Sequence, residues 1–408
     1  MQKRRSHKKS RRGCLNCKKW HTKCDERGPP CGNCTLRNAK CEYAWATRDM
    51  TVSVRHPVSR QASTSSSDDS CVTLNKTIGL APKGSRRLLE LELMHLWSTY
   101  TYQSLCSVPE DVYYMQVVLP REALEYDFLL NGILVSSALH KAFMSPEPEA
   151  RGYFKVALEL YDQASTAFRA QLGTITKANH HELYIYSSMT TFINIAFAQY
   201  SFMDGDETNL LSNVAVAFDL LNGCVSIALA DWDQLLDSPV PIRTYLGLGR
   251  ASLDLLDPDT RTALARLKGY NRNYYAALAP DSQEKGTEVA TSTSANRFAP
   301  LIDFLEVCFA EDVRGALKGY CYTFPAAGGP AFAAAVKSGD PMALLILLHW
   351  TILIQRGSEE YWWARNLGQR LAKGIGVVMQ QTQPAFVDEW WDSVSWVQQQ
   401  LLSLEAYS

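Results

Sequence analysis

The chain has 408 residues, 46% of them hydrophobic and 11% aromatic, which exceeds one average domain and is enough for a large core. Its net charge of -1 conceals an asymmetry, since residues 1–50 hold 14 Lys and Arg against 4 Asp and Glu while the remainder is acidic. The longest apolar run, Met342–Ile354, is too short to cross a bilayer and contains His349, so we expect no membrane span. A basic head on an acidic body is typical of a nucleic-acid-binding arm attached to a domain that does not bind nucleic acid.

Residues 1–13 are a strongly basic arm that includes Arg11 and Arg12. So dense a basic run predicts a nuclear localisation signal, a phosphate-binding arm, or both, and a solvated tail is the plainer alternative. The chain begins Met-Gln-Lys-Arg-Arg without an apolar signal segment. We therefore expect a soluble protein of a reducing compartment, and specifically of the nucleus.

Six cysteines after this arm repeat one spacing twice. The first three recur 17 positions later, the two sets being Cys14, Cys17 and Cys24, then Cys31, Cys34 and Cys41. Three thiolates cannot fill the four tetrahedral positions of a structural zinc ion. If two of the six sulfurs are shared, the set supplies four bonds to each of two metal ions. The repeat therefore predicts two zinc ions in one compact cluster with pseudo-twofold symmetry.

Two other roles for the six cysteines are weaker. Three disulfides are typical of a small secreted domain, which the basic opening of the chain does not favour. An iron–sulfur cluster needs four thiolates and does not explain why the spacing repeats. Ligand type and spacing together favour zinc.

The pattern Cys-x2-Cys-x6-Cys-x6-Cys-x2-Cys-x6-Cys, with a basic run after Cys17 and a proline at position 29, resembles the fungal binuclear zinc cluster. That module is the DNA-binding domain of a large class of fungal transcription factors, and the resemblance covers residues 14–43 here. In that family the first and fourth cysteines bridge the metals, which implies bridging by Cys14 and Cys31. The other four would complete the two sites, Cys17 and Cys24 one of them, Cys34 and Cys41 the other.

The segment from Cys17 to Cys24 is expected to be a short helix held at both ends by metal, because so short a segment buries little else. Its lysines can reach phosphates or guanine edges in the major groove. The resemblance implies base contacts at the third and fourth positions after Cys17, where this chain has Trp20 and His21. His21 can donate a hydrogen bond, whereas Trp20 cannot make a bidentate guanine contact and could pack on sugar or on protein. The candidate DNA-contacting residues are Arg11, Arg12, Lys18, Lys19, His21 and Lys23, with Arg37 and Lys40 as candidates for backbone contacts.

Residues 44–84 are predicted to be a flexible linker, since they include a polar Ser- and Thr-rich run without periodicity. A dimerising coiled coil would need several apolar heptads, and none occurs there. The protein therefore either binds DNA as a monomer or dimerises through the large domain that follows.

Residues 85–408 are predicted to be an all-α domain, because apolar residues recur at helical spacing and sustained alternating runs are absent. Residues 280–297 interrupt the pattern as a predicted disordered insertion. The fold expected for the chain is mostly α: a small zinc cluster domain, a linker and a large helical regulatory domain. The segments with the clearest helical pattern are Tyr126–Phe143, Gly152–Leu172, His181–Phe202, Leu210–Leu229 and Pro300–Lys318.

The pattern is sharpest near the C-terminus, where Asp340 can cap a buried helix that has Pro341 in its first turn. Short aromatic motifs resemble the C-terminal regulatory domain of the fungal sterol uptake control family, in which a helical module binds a sterol. The resemblance implies a sterol or another apolar ligand here, although core packing is an equally good role for the tryptophans. The motifs are Glu92-Leu-Met-His-Leu-Trp97, His349-Trp350, Tyr361-Trp-Trp363 and Trp390-Trp391.

Catalytic patterns are not found, so we expect no enzyme. Gly247-Leu-Gly249 lacks the third glycine of a dinucleotide loop, and His180-His181-Glu182 lacks the spacing of a zinc protease helix. No Gly-x-Ser-x-Gly nucleophile turn occurs. His140 and His349 lie in apolar helical runs and are interpreted as core histidines.

Together these patterns predict a nuclear transcription factor that binds double-stranded DNA through its zinc cluster and regulates transcription by RNA polymerase II with the transcription machinery. The helical domain is expected to be regulatory, with a sterol as one possible ligand and self-association as one possible role. Two alternatives remain: a pathway-specific regulator of a biosynthetic gene set without a ligand, and a corepressor scaffold that binds DNA weakly. Trp20 is the residue that keeps the scaffold alternative open.

Overall fold

A computed structural model describes residues 14–24, 31–37, 39–41, 83–201, 208–278, 297–382 and 384–405. Residue contacts divide the chain into two compact units, Met1–Asn75 and Lys76–Ser408. The predicted basic arm, most of the predicted linker and almost all of the predicted insertion lie outside the described residues. The first helix of the second unit begins at Lys83, two residues before the predicted start of the helical domain.

Every regular element in the described ranges is a helix, which confirms the mostly α fold. The first unit contains α1 (Leu15–Lys19) and α2 (Gly32–Leu36). The second unit, called the helical body below, contains sixteen described α-helices: α3 (Lys83–Thr99), α4 (Asp111–Tyr113), α5 (Leu119–Glu122), α6 (Asp127–Met144), α7 (Glu149–Leu172), α8 (His180–Ser201), α9 (Thr208–Ala230), α10 (Trp232–Leu236), α11 (Ile242–Gly247), α12 (Pro258–Leu278), α13 (Ala299–Arg314), α14 (Phe324–Lys337), α15 (Pro341–Arg356), α16 (Leu367–Thr382), α17 (Pro384–Glu389) and α18 (Trp391–Glu405).

Helix α15 is the centre of the helical body. Asp340 caps it, because its side chain accepts a hydrogen bond from the Ala343 N–H at 2.9 Å, and Pro341 occupies the first turn. All residues from Pro341 to Gln355 are buried. Five helices, α12, α13, α14, α16 and α18, pack around it. The predicted cap and the predicted buried helix are both confirmed.

Two glycines decide where neighbouring helices end or bend. The predicted segment Pro300–Lys318 is too long, since α13 ends at Arg314 and Gly315 adopts φ +66°. That left-handed conformation suits glycine and stops the helix. Gly329, at φ +62° and followed by Pro330, breaks the helical backbone of α14 in the same way. The chain therefore bends within α14 at this point.

By length and composition alone, Leu210–Ala230 of α9 could cross a membrane, and 39% of its most apolar 18-residue segment is buried inside the protein. The segments Tyr320–Lys337 and Pro341–Arg356 meet the same criterion only as a pair bent by 118°. A core helix of a soluble protein also meets this criterion, and α9 buries Val214 and Phe218 in the helical body. Helical periodicity predicts this helix as Leu210–Leu229, but its length and apolar composition were not expected to meet the criterion for a membrane span.

The tryptophans that carried the sterol-family resemblance are mostly core residues. Trp97, Trp350 and Trp390 are almost completely buried. The indole N–H of Trp97 donates to the Met115 carbonyl at 2.8 Å, and that of Trp350 donates to the Cys321 carbonyl at 2.7 Å. These side chains therefore have a structural role, with satisfied polar groups.

We expect acid to destabilise the helical body through His349, which is fully buried in α15. Its Nδ1–H donates to the Leu345 carbonyl at 2.8 Å, while Nε2 has no hydrogen-bond partner. Burial lowers the pKa of His349 to about 4, below the value of 6.5 expected for the unfolded chain. The unfolded state therefore binds the extra proton between these values, and stability falls as the pH decreases from about 6.5 towards 4.

When the pH is lowered from 7 to 5, the titration of His349 alone should decrease the free energy of unfolding by about 2 kcal/mol. Denaturant titrations followed by tryptophan fluorescence would measure it, with His349→Leu as the comparison. The wild type should lose about 2 kcal/mol more than the variant over this interval. Equal losses would mean that His349 does not titrate in the way that its burial indicates.

Candidate metal centre and nucleic-acid interface

The helix of the first cysteine repeat lies earlier than predicted. α1 starts directly after Cys14, whose sulfur caps the helix by accepting the Cys17 N–H at 3.3 Å. It ends at Lys19, and His21 adopts φ +52°, a left-handed conformation that a helix cannot include. The predicted helix from Cys17 to Cys24 is therefore wrong over its second half. The thiol that caps α1 and the left-handed residue that follows it explain the shift.

Several backbone contacts of the first repeat recur in the second. The Thr22 N–H donates to the Cys17 carbonyl at 3.0 Å, and the Ala39 N–H donates to the Cys34 carbonyl at 3.0 Å, each position shifted by 17. The equivalent backbone N–H groups also meet equivalent sulfurs, the N–H of residue 14 meeting Sγ of residue 24 at 3.5 Å and that of residue 31 meeting Sγ of residue 41 at 3.2 Å. The sequence repeat is thus a structural pseudo-twofold repeat.

The six sulfur atoms form two groups of four that share two members. In each group all Sγ atoms lie within 4.8 Å of one another, so each group could hold one metal ion. Cys14 and Cys31 belong to both groups, and their sulfurs are 3.7 Å apart. The two complete sets are Cys14, Cys17, Cys24 and Cys31 for one, and Cys14, Cys31, Cys34 and Cys41 for the other.

This donor set fits cations. Five of the six cysteines are buried, and burial next to the other sulfurs raises the pKa of Cys17 to about 12 and also raises that of Cys34 and Cys41. At Cys14 and Cys31 burial acts in the same direction, but hydrogen bonds within the cluster outweigh it and lower the pKa. The three thiols with raised pKa values can become thiolates near neutral pH only if positive charge compensates them. A coordinated metal does this, because it deprotonates its thiol ligands outright. Four tetrahedral thiolates per ion is the usual environment of structural zinc.

Two asparagines join the repeats reciprocally. The side-chain amide of Asn16 donates to the Lys40 carbonyl, and that of Asn33 donates to the Lys23 carbonyl at 2.8 Å. Asn16 and Asn33 are 17 residues apart, as are the two lysines. Each asparagine therefore binds the backbone carbonyl of the lysine that precedes the last cysteine of the other repeat. These contacts were not predicted, although the 17-residue repeat already relates the two asparagines to each other and the two lysines to each other.

Trp20 and Arg37 meet where the two repeats meet. They occupy equivalent positions, and the Arg37 guanidinium carbon lies 4.8 Å from the centre of the Trp20 ring. Trp20 is half-buried against the cysteine cluster. Of the two alternatives for Trp20, packing on protein is the one observed. The contact places a cation of the second repeat at the end of α1. This proximity was not predicted from the sequence.

The basic side chains of the cluster face solvent. Lys18, Lys19, His21 and Lys23 are all exposed, as are Arg37 and Lys40 of the second repeat. The described residues of the cluster include no Asp or Glu to neutralise them. Where α1 has Lys18 and Lys19, the equivalent positions in the second repeat are Thr35 and Leu36, so the lysines of the short helix belong to the first repeat alone. The predicted contacts Arg11 and Arg12 lie outside the described residues.

Known proteins resemble both the cluster and the whole chain. A family profile described as Fungal Zn(2)-Cys(6) binuclear cluster domain matches residues 12–49. The chain is 25% identical over 453 positions to a Zn(2)-C6 fungal-type transcription factor of Gibberella zeae, which covers 96% of this chain and 86% of that protein. It is 24% identical over 288 residues to a Zn(2)-C6 fungal-type transcription factor of Aspergillus fumigatus, with 65% of this chain and 71% of that protein covered. Sterol uptake control protein 2 of Candida albicans is 56% identical over 41 residues, 10% of this chain and 6% of that protein.

The profile and the sulfur geometry lead to the same cofactor. The matched domain binds two zinc ions, and the six cysteines of this chain are positioned for metal binding in two four-sulfur groups. The prediction of two zinc ions is confirmed, and so is the resemblance from which the family was inferred. The chain thus carries a fungal Zn(2)-Cys(6) binuclear cluster domain at residues 12–49 and is similar over most of its length to a fungal-type Zn(2)-C6 transcription factor.

Proposed function

We propose that this protein is a nuclear, sequence-specific DNA-binding regulator of transcription by RNA polymerase II. The observation that carries the proposal is the set of exposed lysines on the first repeat, Lys18, Lys19 and Lys23, beside two four-sulfur groups that can fix their positions. The names of the two long-range relatives, both transcription factors, support it. Those names also favour a regulatory protein over an enzyme.

Each part of the cluster has a separate role in this proposal. Cys14 and Cys31 bridge the two ions, and the other four cysteines complete the two sites. The bound zinc contributes the folding free energy of a segment too small to form its own core. Lys18, Lys19 and Lys23 contact phosphates or base edges, and His21 donates a hydrogen bond to a base. Arg11 and Arg12 of the arm add phosphate contacts, which are salt-dependent because bound DNA releases counterions.

The helical body is proposed to be the regulatory domain, joined to the cluster by the linker at residues 44–84. A small apolar ligand such as a sterol would act by preferring one of two conformations of the body. Support for a sterol comes from the name of a relative that matches only 10% of this chain. A pathway-specific regulator without a ligand, acting through protein partners or as a homodimer, is therefore the competing form of the same proposal.

Selection from a pool of random duplexes tests the central part. The zinc-loaded full chain should enrich one sequence motif, and gel shifts should show at least a thousandfold preference for it over scrambled duplex at physiological salt. A corepressor scaffold would retain salt-dependent binding without any sequence preference. That outcome would contradict the proposal and would agree with the presence of Trp20 at a position where the family uses a basic residue.

We expect Arg37 to contribute one phosphate contact, because the Trp20 ring holds its guanidinium beside α1. Arg37→Gln should lower affinity for the selected duplex about tenfold and reduce the salt slope of log K by about 1. Fluorescence anisotropy at several salt concentrations measures both values. Arg169→Gln, which removes an exposed arginine of α7, is the matched control and should change neither. An unchanged slope in Arg37→Gln would exclude the contact.

A further inference from the structure

Two cavities of the helical body, of about 640 and 330 Å³, share part of their walls. Phe143, Trp362 and Arg365 line both of them, so the cavities are adjoining parts of one cleft, which we call the Trp362 cleft. Both volumes lie within the range of small-molecule sites in proteins. The described residues that line the cleft all belong to the helical body, and the DNA-binding proposal assigns them no role.

The aromatic wall of the cleft is held rigidly. The indole N–H of Trp362 donates to Ser104 Oγ at 2.9 Å, and that of Trp363 donates to the Ser104 carbonyl at 3.2 Å. One face of Trp362 stacks on His140, with ring centres 4.8 Å apart and planes within 5°. His140 is itself fixed by Thr101 Oγ1, 3.0 Å from Nδ1. Unlike the core tryptophans, Trp362 is only half-buried, and it presents a preorganised ring surface to the cleft.

The charges of the cleft are uneven. The larger cavity is lined by Lys318, which is paired with Glu360 at 3.2 Å, by a second carboxylate, Glu359, and by the shared Arg365. The smaller cavity has two arginines, Arg365 and Arg370, and a single carboxylate, Glu147, which pairs with Arg151 at 3.7 Å. Burial lowers the pKa of His140 to about 4, so its imidazole adds no positive charge near neutral pH. The smaller cavity is therefore the cationic end of the cleft.

Arg365 is the basic residue of this end whose surroundings carry the proposal. Its guanidinium lies over the Phe143 ring, 5.4 Å from the ring centre, and it has no ion pair with any described residue. Arg370 donates to the Gln199 side chain at 2.7 Å, which holds the second guanidinium in position. The remaining wall of the smaller cavity is mostly apolar and aromatic, and includes Leu139, Ala142, Ala196 and Tyr200.

We propose that the Trp362 cleft binds a ring-containing apolar ligand that bears one carboxylate. The ring system lies against Phe143 and Trp362, and the carboxylate is bound by Arg365 with the help of Arg370. A guanidinium binds a carboxylate through two parallel hydrogen bonds, which gives both affinity and orientation. A neutral sterol would leave this cationic end without a counter-ion. The proposal extends the regulatory role of the helical body proposed above, and its binding step can be tested apart from DNA binding.

The test compares two probes with the same ring system, pyrene-1-carboxylate, which bears an anionic group, and pyrene-1-methanol, which bears a neutral hydroxymethyl group in its place. Each is titrated into the full-length, zinc-loaded chain by isothermal calorimetry, with wild type, Arg365→Gln and Arg169→Gln side by side. We expect the wild type to bind the carboxylate at least tenfold more tightly than the alcohol. Arg365→Gln should lose most of that preference while its affinity for the alcohol is unchanged, and Arg169→Gln should behave as wild type. Thermal unfolding of the three proteins would verify that all are folded.

Three outcomes would overturn the proposal: equal affinity of the wild type for both probes, a preference that survives in Arg365→Gln, or no binding of the carboxylate at millimolar concentration. Displacement of the carboxylate by ergosterol, equally from wild type and from Arg365→Gln, would also overturn it by indicating a neutral lipid site. DNA binding by the same preparations is measured in parallel. A chain that binds its duplex selectively and fails these titrations leaves the DNA-binding proposal intact.

Discussion

Replacing Cys14 by serine is expected to release both zinc ions and to lower affinity for the selected duplex by about a thousandfold or more. Cys14 belongs to both four-sulfur groups, so its loss affects both metal positions at once. It also caps α1 through its sulfur, and thus fixes the start of the helix that carries Lys18 and Lys19. Because a structural zinc contributes about 10–16 kcal/mol to folding in small zinc domains, the segment should not fold without it.

Native mass spectrometry counts the bound zinc ions, and fluorescence anisotropy measures DNA affinity on the same sample. Cys106→Ser is the matched control, because Cys106 lies in the helical body and its thiol donates to the Tyr102 carbonyl at 3.3 Å, a contact that serine can keep. This variant should retain two zinc ions and full DNA affinity. Two zinc ions in Cys14→Ser would contradict the bridging role of that cysteine.

Gly368→Ala is expected to destabilise the helical body by about 3 kcal/mol. Gly368 lies in the first turn of α16, where that helix approaches the central helix α15 most closely. A methyl group there would lie 2.7 Å from the Gln355 backbone nitrogen and closer still to the Thr351 carbonyl oxygen. Backbone atoms of a fully buried helix cannot move aside as a flexible side chain can, so the two helices must separate.

Gly376→Ala in the same helix provides the control with the opposite sign. A methyl group at this exposed position meets no atom within 4 Å. Alanine should therefore stabilise the helix by about 0.5–1 kcal/mol, since it has the higher helix propensity. Urea titrations of the full chain would measure both changes. Similar effects of the two substitutions would show that the close approach of α15 and α16 does not depend on Gly368.

The zinc cluster was largely predictable from sequence because its information is local. Cysteine spacing fixes the number of ligands per half, and the 17-residue repeat already predicts two equivalent halves. What spacing cannot predict is which atoms meet across the repeat. The contact of Arg37 with Trp20 and the amide bonds of Asn16 and Asn33 depend on how the halves are oriented. The helix was misplaced because the capping role of the Cys14 sulfur and the left-handed backbone of His21 have no spacing signal.

The helical body was predictable as a class but not as a site. Apolar periodicity predicted its helices, and Asp340 with Pro341 predicted the start of the central one. The Trp362 cleft was not predicted, since it joins side chains more than 200 residues apart in sequence, such as His140 and Trp362. From the sequence, the tryptophans could either contact a ligand or pack in the core, and the structure contains tryptophans in both kinds of environment. Trp97 and Trp350 are core residues, whereas Trp362 lines a cavity.

DNA binding by the full chain, measured with and without its zinc, tests the central claim most directly. Fluorescence anisotropy would compare the selected duplex with a scrambled duplex of equal composition, before and after treatment with a chelator. We predict a preference of at least a thousandfold for the selected duplex, its loss on chelation and its return when two equivalents of zinc are added. Equal affinity for both duplexes, or a preference that does not depend on zinc, would contradict the account of this protein as a zinc-cluster transcription regulator.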